Sequence, residues 1–120
     1  DADSEVLNAL GYYYVENKVN LDTAFALLQR ALQIEPQSYF ILDSMGWYYY
    51  QTGDYQNALE YLNQAFNQSE DDEVLVHLIS AYWANGERQK AREIWQQYHQ
   101  GFKENSKVQN IIKDLEESQP

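Results

Sequence analysis

An all-α fold of about three stacked helical hairpins is predicted by three features of the sequence. Apolar residues recur in sets some 35 residues apart, each set keeps the three-and-four spacing of one helical face, and turn-forming residues fall at the middle of every unit. Leu7, Leu10, Gly11 and Tyr14 line up with Leu42, Met45, Gly46 and Tyr49, and again with Leu75, Leu78, Ile79 and Tyr82. A second set follows each: Ala24, Leu28, Ala31, then Ala58, Leu62, Ala65, then Ala91, Trp95, Tyr98.

The first helix is expected over 4–17 and ends in Glu16-Asn17-Lys18-Val19-Asn20, an inner turn one residue longer than the others, where Asn20 has the side chain to cap the next helix. The second runs over 21–34 and is closed by Pro36, which falls between units. The third, 38–52, stops at Gly53, which can take the left-handed conformation, and Asp54 caps the fourth over 55–68. The run Glu70-Asp71-Asp72-Glu73 opens the fifth helix, 72–85, where carboxylates meet the positive end of the helix dipole, and this explains it better than a cation site does. Gly86 separates that helix from a sixth over 88–102. A seventh over 104–117 carries Val108, Ile111, Ile112 and Leu115 on one face, which suits a helix that covers the apolar end of a stack.

Gly11 and Gly46, opposite Ala24 and Ala58, let paired backbones approach closely. This arrangement resembles the tetratricopeptide repeat, a helix-turn-helix of about 34 residues with small residues at fixed places and a proline near its end. Leu42 to Phe66 fits it nearly throughout, the first unit fits with one extra residue in its turn, and the third departs at Ile79 and Tyr98, where its helices should pack differently. The resemblance implies a right-handed α-solenoid forming a single domain over 1–120, with repeats at about 4–38, 39–71 and 72–102 and a capping helix at about 104–117.

Composition narrows the function. Nineteen acidic against eight basic side chains give a net charge of -11, which opposes nucleic acid and anionic lipid. The acidity is uneven: residues 1–87 hold 14 acids and 2 bases, and residues 88–120 hold 5 acids and 6 bases. No apolar run is long enough to span a bilayer, so no membrane insertion by this segment is expected. The start, Asp1-Ala2-Asp3-Ser4, has neither a basic leader nor an initiator Met, as expected of a piece of a longer chain. With no cysteine, two separated histidines (His77 and His99) and no phosphate-binding glycine loop or metalloprotease pair, neither catalysis nor a cofactor or metal is expected.

In the family resembled, the first helix of each repeat lines a concave groove. Carried over by position, the groove would be Asn8, Tyr12 and Val15, then Phe40, Asp43, Ser44, Trp47 and Tyr50, then Val76, His77, Ser80 and Trp83. Tyr14, Tyr49 and Tyr82 occupy the family's packing position instead. Exposed rings in a groove are typical hot spots, worth roughly 2 kcal/mol or more each when desolvated. The stripe carries no Lys or Arg, which argues against clamping of a free carboxylate and for a neutral to basic protein or peptide.

The expected function is therefore a non-catalytic interaction scaffold or adaptor. Two alternatives stay open: self-association or a spacer role, with the aromatic surface buried against another copy or further repeats, and an accessory domain that activates a partner enzyme. The texture Ile41-Leu42-Asp43-Ser44-Met45-Gly46-Trp47, with His77-Leu78 and Ala91-Arg92-Glu93-Ile94-Trp95, is similar to the C-terminal part of repeat proteins of the Gram-negative envelope. Some of those are lipid-anchored and some deliver substrates to a processing protease, so the resemblance implies a periplasmic or envelope location.

Overall fold

A computed structural model describes residues 2–102, together with 113 and 117. Six helices follow one another: α1 (Ala2–Asn17), α2 (Leu21–Ile34), α3 (Tyr39–Gln51), α4 (Tyr55–Gln68), α5 (Asp72–Ala84) and α6 (Arg88–Phe102). Their bounds lie within two residues of those expected from the apolar spacing. The seventh, capping helix expected over 104–117 lies outside the described residues, apart from Lys113 and Glu117.

Turn chemistry sets where the helices stop. Gly53 and Gly86 take positive φ of 85° and 84°, the left-handed conformation that a side chain resists. Asp54 caps α4 by accepting from the Asn57 amide, and Asp71 caps α5 by accepting from the amides of Glu73 and Val74. The first inner turn differs from expectation. Asn20 makes no side-chain cap; it adopts φ 48°, ψ 44°, and Lys18 is also left-handed at φ 55°. With no glycine and one extra residue, this turn reverses the chain through two strained positions, and asparagine is among the residues that tolerate such a conformation best.

Each pair α1–α2, α3–α4 and α5–α6 is a hairpin, and successive hairpins stack, with α3 on α2 and α5 on α4. The first helices also touch one another, α1 against α3 and α3 against α5, whereas α2, α4 and α6 approach one another far less. Convergence of one row of helices and divergence of the other curves the stack, with α1, α3 and α5 on the inside. The chain is thus an all-α solenoid.

Two buried clusters hold it. Val15, Ala24, Leu28 and Met45 form one between the first and second hairpins, and a larger one runs from Leu42 and Leu62 through Leu75, Leu78 and Ile79 to Ala91 and Ile94. Tyr14, Tyr49 and Tyr82 pack against these clusters as half-buried rings, and the Tyr82 hydroxyl accepts from Asn63 Nδ2 at 3.1 Å. In the third hairpin Ile79 stands where the others have glycine; its side chain is fully buried, and α5 meets α6 less extensively than α1 meets α2 or α3 meets α4. The larger residue occupies space that glycine leaves to the neighbouring helix.

Candidate functional site

The inner face is built from residues on three first helices. Asn8 and Tyr12 of α1, Phe40, Asp43 and Ser44 of α3 and Glu73 of α5 surround a depression of about 150 Å³. Helical spacing puts Asn8 one turn from Tyr12 and Phe40 one turn from Ser44. The Ser44 hydroxyl turns back to donate to the Phe40 carbonyl at 2.9 Å, so it is not available as a donor there.

Beneath this depression lies a polar pair. His77 Nδ1 sits 2.8 Å from Asp43 Oδ1, and both residues are buried. An ionised carboxylate only accepts, so opposite one the proton of this contact lies on His77 Nδ1, which donates. His77 also stacks on the Trp47 indole, with ring centroids 4.0 Å apart, and the other indole face is covered by Tyr50 at 4.3 Å and an interplanar angle of 6°. A continuous column His77–Trp47–Tyr50 results, with Tyr55 against Tyr50 at 5.6 Å and Tyr12 against His77 at 6.3 Å.

Electrostatically the face is negative. Burial, followed by the hydrogen bond and charge of Glu16 and the charges of Glu73 and Asp43, pushes the Tyr12 phenol far above its ordinary value. Tyr50 is raised as well, chiefly by burial and then by Tyr55. No Lys or Arg lines the depression. Asn8 Oδ1 and Trp47 Nε1 are buried without a hydrogen-bond partner.

The structure brings together only part of the stripe taken from sequence. Asn8, Tyr12, Phe40, Asp43 and Ser44 meet around one depression, and Trp47 and Tyr50 lie beside it as half-buried rings. Four residues of the third hairpin and one of the first are placed otherwise. Val76, His77, Ser80 and Trp83 are buried, with the Trp83 ring under the guanidinium groups of Arg88 and Arg92 at 5.1 and 5.3 Å. Val15 is fully buried in the first cluster, and its carbonyl accepts from Gln51 Nε2 at 3.4 Å. Neighbouring first helices converge, so Val15 and His77 meet α3 before they reach solvent, whereas Trp83 is covered from α6.

Glu73 was absent from the stripe, yet it stands 33 residues after Phe40, the same step that relates Leu42 to Leu75. Repeat register alone would have found it. Glu16 was also absent from the stripe, although it lies one helical turn after Tyr12 on α1 and its charge acts on the Tyr12 phenol. A wider depression of about 430 Å³ lies away from this face, among Leu32, Pro36, Tyr49, Glu60 and Tyr61. Among the described residues no group of three or more His, Asp or Glu is placed to hold a metal ion, and no helix is long and apolar enough to cross a membrane.

Stacked antiparallel hairpins with an inward row of first helices define an α-helical repeat scaffold. The sequence profile of the tetratricopeptide repeat matches residues 49–115, more than half of the chain, and the chain belongs to that family. Over 72 residues it is 40% identical to a TPR repeat-containing protein of Pseudomonas aeruginosa. The matched stretch makes up 60% of this chain and 12% of that relative, so the chain spans a small fraction of the relative's length. Tetratricopeptide repeats in general mediate protein–protein interaction and serve as scaffolds rather than catalysts.

Proposed function

We propose that the chain is an interaction scaffold whose inner face receives a segment of another protein along α1, α3 and α5. The observation that carries this reading is the depression that three successive hairpins share, rimmed by the Phe40 ring, which is 39% exposed, and the half-buried Tyr12 ring. Trp47 and Tyr50 contribute their edges, since the faces of the indole are occupied by His77 and Tyr50. The negative field at Tyr12 favours a neutral or basic segment. By its resemblance to envelope adaptors, such a scaffold would hold a client or a processing enzyme in the bacterial envelope.

The double substitution Tyr12→Ala, Phe40→Ala tests the reading. Bait chains of both kinds are compared in pulldowns from a bacterial lysate, and the recovered partners are then titrated as purified proteins. Loss of two ring anchors should weaken binding at least about tenfold while the circular dichroism spectrum is kept. Equal affinity in a folded variant overturns the inner-face assignment.

A second reading, assembly through the end of the stack, is favoured by one observation. Val6, Leu10 and Tyr13 form a stripe on α1 that is 68%, 43% and 59% exposed. Their register equivalents 35 residues on are Ile41 and Met45, both buried, and Tyr48, which rests on Phe25 of α2 at 5.1 Å. In the second hairpin this surface is therefore covered by the second helix of the hairpin before it. If another copy covers it, sedimentation should show mass rising with concentration, and Leu10→Asp should abolish the rise. A strict monomer at every concentration rejects self-association.

A further inference from the structure

We infer that the depression bounded by Asn8, Tyr12, Asp43 and Glu73 is an anchor site for one positively charged side chain, a lysine or arginine of the bound protein segment. The inference rests on the inner-face reading and adds the chemistry of the residue that fixes the segment in place.

The charge of the depression is one-sided, although the Asn8 amide nitrogen and the Tyr12 hydroxyl are donors on its lining. Asp43 is 6% exposed, gives Oδ1 to His77, and makes no other hydrogen bond among the described residues. Its second carboxylate oxygen is left for a donor. Asn8 adds a buried carbonyl oxygen with no partner. A buried acceptor without a donor costs about 1–3 kcal/mol, and Asn8 Oδ1 is one such atom, on the same lining as the Asp43 oxygen that no described residue engages. The Ser44 hydroxyl is spent on the Phe40 carbonyl. What fits is a group that donates several hydrogen bonds and accepts none, which is the description of an ammonium or a guanidinium.

Charge and shape agree with that inventory. The charged side chains of the lining are Asp43 and Glu73, both acidic, and the Glu16 charge also acts on Tyr12. The field that disfavours a phenolate at Tyr12 favours a cation in the same place. The Tyr12 and Phe40 rings flank the opening, and aromatic faces attract cations held against them. About 150 Å³ accommodates the end of one long side chain, and the rest of the segment would lie along the inner face. A divalent metal is a poorer match, because calcium asks for six to eight oxygen ligands and no group of three or more His, Asp or Glu gathers among the described residues.

Chemical-shift titration of the isotope-labelled chain with N-acetyl-lysine N-methylamide tests the site, with N-acetyl-norleucine N-methylamide as the neutral probe of similar length. The lysine probe should move the Asn8, Tyr12 and Asp43 signals saturably, and the norleucine probe should not. Glu73→Gln, at an exposed position and with its circular dichroism spectrum matched to the parent chain, should weaken the lysine response about twofold to fivefold, in line with a partly exposed ion pair, and Asp43→Asn should abolish it. A lysine response unchanged in both variants overturns the anchor. A norleucine response at Phe40, Trp47 and Tyr50 with no preference for lysine overturns the anchor and leaves the inner-face reading standing. No response to either probe at any of these residues rejects both.

Discussion

Leu62→Ala is expected to lower the free energy of unfolding by about 2–5 kcal/mol, toward the upper end of that range. Leu62 is fully buried in the larger cluster, and its branch carbon lies against Gly46 on the partner helix. Truncation removes apolar contacts on the α4 side, while Gly46 has no side chain with which to fill the space from the α3 side. The cavity therefore persists, and the cavity contribution adds to the lost transfer energy. Urea denaturation monitored by circular dichroism measures it; a loss below about 1 kcal/mol would mean that α3 and α4 collapse onto each other, contrary to close packing.

The complementary change is Gly46→Ala. Alanine is the better helix former by roughly 1 kcal/mol, so an open site would gain stability. Here the added methyl carbon would stand 2.6 Å from Leu62 Cγ and 3.2 Å from the Ala58 carbonyl oxygen, and neither is the free end of a flexible chain. Overpacking of about 1–3 kcal/mol should outweigh the propensity gain and leave a net loss. Gly11→Ala should cost less, because there the carbonyl of Ala24 is 3.5 Å away and only Leu28 must yield. Combining Gly46→Ala with Leu62→Ala should cost less than the sum of the two, since each change relieves the other. A melting temperature of Gly46→Ala at or above that of the parent chain would refute the close-approach account.

These glycines show why so much of the fold was legible. A helix–helix contact writes itself into sequence as a small residue opposite a small residue, flanked by leucines at three-and-four spacing, and three copies of the pattern fix the register. Breakers then mark the turns. The pattern failed where a side chain's fate depends on a neighbouring repeat. Trp83 and His77 carry the register of an inner surface, yet one lies under two arginines and the other is bonded to Asp43, 34 residues away. Position in a repeat says which way a residue points, and convergence of neighbouring helices decides whether anything already stands there. Asn20 illustrates the same limit at a turn: its composition suggested a cap, but an extra residue in the loop required a left-handed backbone instead. The candidate site was legible as a stripe of residue types; its bonded pair and its ring column required coordinates.

The exposed stripe on α1 bears on how such a molecule is lengthened. Each hairpin offers its successor the kind of surface that it requires from its predecessor, so the contact is directional and repeats without closing on itself. Geometry of this kind contains no count. The joint between the first and second hairpins is one that a further unit can reuse, and gene duplication can add units at the cost of one compatible turn. The inner face lengthens with every unit, while the acidic depression depends on particular residues of three consecutive hairpins. Reach and specificity are thereby set by separate parts of the same stack.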